Sequence, residues 1–364
     1  MVETNFLYEK IEYFGSFGFD KNETQIVYCA EANENDYEGK SNSNVRDQSF
    51  GKFAFTSPLG EKFAGKKLPA LFVFRWTNVS SGSVSPKDFS NDEPKSSSVL
   101  RVDLQNWTET VHLLFGQALM DESGQNIYAT GYEYLQDSRF PGIIGCYNRH
   151  SAIWCLLIGN QDEDKGILTC TPVRLTPRDR SSRSPRYIHH DGKDLLVYLS
   201  HELGGPHHSC AELHVLDFSK MEDQVLVDTV WEPDLGAFPG LYVEQLPRSP
   251  FVTIGGRLYT LLHSVRTHFS TLYRVCIETG ECLRIVDEKQ ERGQVFSWTL
   301  LGSDGDKRFL CSRSRIDVPN QLVLGEFSSE DVSNVRLRVI DKPYLSSRGR
   351  FCPPVFLISP NFNI

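Results

Sequence analysis

Short apolar segments alternate with turn residues along most of this chain. Runs rich in Val, Leu, Ile, Tyr and Phe, such as QIVYCAE (25–31) and LLVYL (195–199), are cut at close spacing by Gly, Pro, Asp and Asn. Runs of this length, bounded by turn residues, are typical of β-strands. Only the opening segment, with Leu7, Ile11 and Phe14, has helical spacing. The pattern predicts an all-β chain with a short helical segment within residues 1–15.

A tight polar turn followed by two apolar strands recurs five times. Asp191-Gly192-Lys193 precedes LLVYL and AELHVLD (211–217), and Gly255-Gly256-Arg257 precedes LYTLL and TLYRVCIETG (271–280). The same order follows the turns at residues 20–23, 123–124 and 304–305. Glycine can adopt the positive φ of a tight hairpin, so each of these turns is predicted to join antiparallel strands.

The spacing of these turns favours a propeller. Gly124, Gly192, Gly256 and Gly305 lie 68, 64 and 49 residues apart, against about 40 to 50 for compact propeller blades. The 104 residues from Asp20 to Gly124 hold one blade with a long excursion or two degenerate blades, and the Ser- and Pro-rich stretch 80–98 is an inserted loop. We predict a β-propeller of about five recognisable blades, an incomplete or irregular ring, over residues 16–345, followed by a tail at 346–364. The alternative, a sandwich or jelly roll, would not repeat one turn-strand-strand unit five times.

Charge and cysteine content narrow the function classes. The chain has 38 Lys plus Arg against 47 Asp plus Glu, whereas a nucleic-acid or anionic membrane partner needs a positive field. The amino terminus lacks the basic and apolar regions of a signal peptide. The nine cysteines form no CxxC pair, which favours a reducing compartment. We expect a cytoplasmic protein with no nucleic-acid partner and no membrane partner.

The sequence supplies no catalytic, cofactor-binding or metal-binding residue with a specific signal. It has no G-x-S-x-G nucleophile elbow, no phosphate loop and no G-x-G-x-x-G motif. His207 or His208 could join Cys210 at a metal, but adjacent histidines on a strand point to opposite faces and two more ligands are needed. We interpret that segment and His189-His190 as structural.

A basic stretch and a cysteine pair are the other candidates. The stretch could hold a phosphate, an acidic peptide or RNA, yet it lacks base-stacking aromatics and is rich in proline, which favours a solvated loop between two blades. Its members are Arg174, Arg178, Arg180, Arg183 and Arg186. Cys276 and Cys282 flank a turn and could meet across a hairpin, but free cysteines on paired strands are more often packed residues than a redox pair.

Five stretches, in order along the chain, are specific enough to compare with known families. They are FGQALMDESGQNIYATGYE (115–133), GCYNRHSAIWCLLI (145–158), SPRYIHHDGKDLLVYLS (184–200), GGPHHSCAELHVLD (204–217) and GAFPGLYVEQLP (236–247). Together they resemble the propeller domain of acylaminoacyl peptidase, in the prolyl oligopeptidase group of serine peptidases. One departure is FVTIGGR (251–257), where family members usually have Trp-Ser and an Asp-Ser-Gln turn.

The resemblance implies a function that this chain carries out only in part. In the family, the propeller covers a separate α/β-hydrolase domain that carries the catalytic Ser, Asp and His, and the enzyme removes N-acylated residues from short peptides. The propeller excludes folded substrates. The chain ends at Ile364, about where that hydrolase begins, so we expect a truncated gene model, or a subunit that meets a hydrolase domain in trans, inactive alone. The alternative is a non-catalytic propeller that binds a protein or peptide.

The resemblance also implies that about one amino-terminal blade of the ring is absent. One blade face would then be bare, and an exposed apolar face recruits a partner or aggregates. We therefore expect the isolated chain to self-associate, as a homo-oligomer or as an aggregate.

Overall fold

The computed structural model describes residues 14–15, 17–32, 59–60, 63, 66–76, 97–105, 113–135, 139–233, 237–286, 295–328 and 333–341. All regular elements in these ranges are β-strands or isolated bridges, which confirms the all-β prediction. The predicted amino-terminal helix, the inserted loop and the carboxy-terminal tail lie almost entirely outside the described residues.

Twenty strands of the described residues form five consecutive groups of four, called blades below. The first blade comprises β1 (Phe17–Phe19), β2 (Gln25–Glu31), β3 (Pro69–Trp76) and β4 (Ser97–Leu104). The second comprises β5 (Leu113–Met120), β6 (Asn126–Glu133), β7 (Ser151–Asp162) and β8 (Ile167–Arg174). The third comprises β9 (Arg180–His190), β10 (Lys193–Glu202), β11 (Glu212–Asp217) and β12 (Glu222–Val227). The fourth comprises β13 (Phe251–Ile254), β14 (Arg257–Arg266), β15 (Phe269–Cys276) and β16 (Cys282–Arg284), and the fifth β17 (Ser297–Ser303), β18 (Arg308–Arg315), β19 (Val318–Phe327) and β20 (Val335–Val339).

Within each blade the strands pair in chain order, as a meander. The third, fourth and fifth blades are separate four-stranded sheets, whereas the first two share one eight-stranded sheet because β4 pairs with β8 in parallel. The described strands between residues 17 and 104 therefore form one blade. Five repeated meanders are the blades of a β-propeller, which confirms the predicted fold class and not the sandwich.

The chain divides into two compact units, residues 1–224 and 225–364. In the first unit, one core contains Val73 and Leu100 of the first blade together with Ile127 and Trp154 of the second. A smaller cluster joins the second and third blades. In the second unit, one core contains residues of both the fourth and the fifth blade. Burial of apolar area between neighbouring blade faces is thus the main stabilising term in each unit.

The four predicted turn glycines all join the first and second strands of a blade. Gly124, Gly192, Gly256 and Gly305 have φ values of 67°, 72°, 77° and 82°, so the predicted positive φ is confirmed. A carboxylate fastens several of these turns. Asp121 Oδ1, for example, accepts hydrogen bonds from the amides of Gln125 (3.0 Å) and Asn126 (3.2 Å).

The first blade presents an aromatic face on the side away from the second blade. The ring centroids of Phe17 and Phe19 are 5.3 Å apart, and Trp76 lies 6.2 Å from Phe19 and 5.4 Å from Phe74. Phe17 and Phe19 are 39% and 48% exposed. This face supports the expectation of a bare blade face, which itself stays a prediction.

Candidate functional site

The first strands of successive blades lie side by side in the first unit, where β5 contacts both β1 and β9. Both β5 and β9 take part in an irregular strand pairing, and a residue there has positive φ: Gln117 at 52° and Ser184 at 60°. This conformation is unfavourable for residues with a Cβ atom, so it persists only where the surroundings hold it.

One hydrogen-bond junction holds both irregularities. Gln117 Oε1 accepts hydrogen bonds from the Thr130 hydroxyl and from the Ser184 amide, each 2.8 Å long. All three residues are buried. The junction therefore ties the second blade to the third at their inner strands. It fixes the spacing of these first strands, called the inner wall below, but presents no reactive group to solvent.

The basic stretch is only in part the solvated loop that the sequence predicted: residues 175–179 join the second blade to the third and leave Arg178 exposed, whereas the other four arginines lie in strands. Arg174 ends β8 and pairs with Glu133 at 2.7 Å, and β9 begins at Arg180. Arg183 and Arg186 are buried, and the Arg183 guanidinium lies 4.1 Å from the centre of the Tyr147 ring. The favourable contact of a cation with an aromatic face offsets part of the cost of burying the charge. Arg183 is thus closed to a phosphate or RNA ligand.

Arg180 begins a chain of charged contacts across the third blade. It pairs with Glu212, whose Oε2 lies 2.9 Å from His214 Nε2. His214 Nδ1 lies 2.9 Å from Asp223 Oδ2, and the Tyr198 hydroxyl donates to Asp223 Oδ1 at 2.8 Å. The contacts join all four strands of this blade, so they stabilise its register.

The direction of each pKa shift indicates the protonation states of Glu212 and His214 near neutral pH. Burial raises the pKa of Glu212, but hydrogen bonds from His214 and Arg180 outweigh it and lower the pKa to about 2. Burial lowers the pKa of His214, yet hydrogen bonds with Asp223 and Glu212 raise it above its ordinary value overall. Glu212 stays ionised near neutral pH, and His214 is held towards its protonated form.

His201 and Ser209 have the separation of a base and a nucleophile, with 3.1 Å between Nδ1 and Oγ. Burial, together with Arg183 and Arg180, lowers the pKa of His201 to about 2. A general base works best with a pKa near the operating pH, so this histidine cannot activate the serine efficiently. His201 stacks on Tyr147 and has a packing role.

The remaining candidates do not form a metal or redox site. His207 and His208 are exposed while Cys210 is buried, and no group of three or more potential metal ligands occurs among the described residues. Cys282 pairs with Val275 in the sheet register, so Cys276 and Cys282 point to opposite faces. The two thiols do not meet across the hairpin.

His189 makes a local contact, and its interpretation as a structural residue stays a prediction. Its Nδ1 lies 2.7 Å from Asp194 Oδ1, across the Gly192 turn.

Within the described ranges, no helix is long and apolar enough to cross a bilayer.

A family model and the curated relatives of this chain point to the same family. The family model described as "Acylamino-acid-releasing enzyme, N-terminal domain" matches residues 7–349. The Arabidopsis thaliana acylamino-acid-releasing enzyme is 29% identical over 84% of this chain and 39% of its own length. The Mus musculus enzyme of the same name is 24% identical over 80% of this chain and 37% of its own length.

Two peptidases are among the solved structures that match this chain. Pyrococcus horikoshii acylaminoacyl peptidase has a TM-score of 0.42 and 12% identity, over 91% of this chain and 38% of that chain. Prolyl oligopeptidase B from Galerina marginata has a TM-score of 0.46 and 10% identity, over 90% of this chain and 33% of that chain.

The chain spans less than half the length of the curated relatives that it matches. The family model covers nearly all of the sequence and therefore establishes the family. It does not establish the activity of the whole enzyme. This chain belongs to the family of acylamino-acid-releasing enzyme N-terminal domains.

Proposed function

We propose that this chain is the substrate-gating β-propeller part of an acylamino-acid-releasing enzyme, which would release N-acylated amino acids from short peptides. The family match over residues 7–349 is the observation that carries the proposal. The partner would be a serine hydrolase domain, in the same protein or in trans, and the compartment would be the cytoplasm. On this proposal the propeller admits short peptides to that domain and keeps folded chains out.

The inner wall of the first unit supports a gating role. A filter must keep its spacing while substrates of different sequence pass, so it needs rigid blades rather than reactive side chains. The buried junction of Gln117, Thr130 and Ser184 supplies such a link between two blades. The serine and histidine contact at Ser209 and His201 lacks an effective base. We therefore expect the chemistry to come from the hydrolase domain.

Activity measurements test the proposal directly. The 364-residue chain should not hydrolyse N-acetyl-alanine p-nitroanilide, whereas the chain fused to the hydrolase domain of the Arabidopsis relative should. The fusion should cleave an N-acetylated dipeptide but leave an N-acetylated folded protein intact. Inhibitor-sensitive turnover by the chain alone, or cleavage of the folded protein by the fusion, would contradict the proposal.

A non-catalytic peptide-binding propeller is the second candidate. It would bind an unmodified peptide as well as an N-acetylated one and would gain no activity when joined to a hydrolase domain. Fluorescence anisotropy with matched acetylated and free peptides separates the two candidates.

A further inference from the structure

A polar cavity lies between the first and second blades, at the ends of β3 and β7. Its volume is about 370 Å³, within the range of about 300 to 1,000 Å³ in which proteins hold small ligands. The side chains that matter for its chemistry are those of Gln25, Arg75, Ser98, Gln161 and Glu163. All of them belong to the first unit.

Amide oxygens hold the Arg75 guanidinium in place. Arg75 Nε donates to Gln25 Oε1 at 2.9 Å, and Nη1 donates to Gln161 Oε1. The Gln25 amide is itself oriented, because its Nε2 donates to the carbonyl of Gly124 at 2.9 Å. A guanidinium fixed in this way is preorganised for a ligand, since little side-chain entropy remains to be lost.

The amide oxygens that accept hydrogen bonds from Arg75 are neutral, so they do not neutralise its positive charge. Arg174, Arg180 and Arg315 each pair with a carboxylate. The described residues provide no such ion pair for Arg75, although Glu163 lines the same cavity. Partial burial lowers the pKa of the Arg75 guanidinium from its ordinary value, and the charge of the Glu163 carboxylate offsets only part of this effect. A ligand carboxylate would restore the missing partner.

Glu163 restricts the ligand further. Trp76 also borders the cavity, but its ring packs against Phe19 and Phe74 on the other face of the first blade. The Glu163 carboxylate would repel a dianion such as phosphate but would attract an ammonium group. We propose that the cavity binds a zwitterionic α-amino acid, with its carboxylate on Arg75 and its ammonium group towards Glu163.

Isothermal titration calorimetry on the full chain tests this site, and L-leucine is the probe. Binding should be saturable, and leucinamide, which lacks the carboxylate, should bind at least about tenfold more weakly, as expected for the loss of one charge-assisted pair. N-acetyl-L-leucine, which lacks the ammonium group, should also bind more weakly than leucine. Glu163→Gln should remove that second preference. Inorganic phosphate should not compete.

Two variants and one control separate the site from general effects on folding. Arg75→Gln should weaken leucine binding at least about tenfold, and Ser98→Trp should block the cavity while leaving Arg75 in place. Arg308→Gln, on the fifth blade, should bind leucine like the parent chain. Circular dichroism identifies any variant that fails to fold. Unchanged binding in folded Arg75→Gln or Ser98→Trp, no saturable binding by the parent chain, or phosphate binding as tightly as leucine would each overturn the proposal.

Discussion

Replacing Gly124 with alanine should destabilise the first unit far more than the same change at Gly192. Both glycines close the same kind of hairpin with similar φ, 67° and 72°. A Cβ atom at Gly192 would meet nothing within 4 Å, whereas at Gly124 it would lie 1.9 Å from Gln25 Nε2 and 3.2 Å from Asp20 Cβ. Gly192→Ala is therefore a matched control for the backbone term alone.

The two costs follow from the contacts. A left-handed alanine costs about 1 to 2 kcal/mol, and its smaller unfolded-state entropy returns about 0.4 to 1 kcal/mol, so Gly192→Ala should cost about 1 kcal/mol. At Gly124 the Gln25 side chain must also move. It would lose its hydrogen bonds with the Gly124 carbonyl and with Arg75, which adds about 2 to 3 kcal/mol.

Thermal unfolding of the two variants measures this difference. Gly124 and Gly192 lie in the same compact unit of residues 1–224. For a unit of this size 1 kcal/mol corresponds to about 2 to 4 °C, so Gly124→Ala should lower Tm by about 6 to 16 °C and Gly192→Ala by about 2 to 4 °C. Equal shifts in the two variants would refute the role assigned to Gln25.

Three further outcomes are expected. When the pH is lowered from 7.5 to 5.5, the free energy of unfolding of His201→Phe should rise by about 1 to 2 kcal/mol relative to that of the parent chain, as measured by urea unfolding. The sign follows because the pKa of His201 is about 2 in the folded chain and near 6.5 in the unfolded chain, so neutral His201 stabilises the parent fold above pH 6.5 and this contribution is lost as the pH falls. The raised pKa of His214 has the opposite pH dependence, but it contributes to both proteins alike. Phe19→Ser should reduce self-association in light scattering, whereas Val265→Ser, at a residue of similar exposure in the other unit, should not. Alkylation of the denatured chain without reductant should label all nine cysteines, and fewer labels would indicate a disulfide.

Local turn chemistry explains why the sequence predicts the blades well. Positive φ at Gly192 or Gly256 depends on the residue itself and its immediate neighbours, so the hairpins can be recognised without knowing what packs on them. The acidic residue at such a turn is equally local, as Asp121 shows by accepting amide hydrogen bonds from residues four and five positions ahead.

The buried arginines were not predictable from local composition, because their partners are distant in sequence. Arg183 packs on Tyr147 from a different blade, and Arg180 pairs with Glu212 two strands away. Charge and proline content alone favour a loop there. The repeat itself contains the missing signal: a first strand precedes Gly124 at 113–120, and the equivalent segment before Gly192 is β9 at 180–190.

Gly124 links the geometry of a hairpin turn to the cavity at Arg75. Its missing side chain serves the hairpin, but the same space admits the Gln25 amide from the first blade, and Gln25 in turn orients Arg75 in the cavity. A substitution at Gly124 should therefore weaken leucine binding although the residue does not line the cavity, because Arg75 loses its preorganisation. Gly192→Ala should leave leucine binding unchanged in a protein that is still folded. A loss of binding in Gly124→Ala alone would show that one turn glycine positions a side chain on a neighbouring blade.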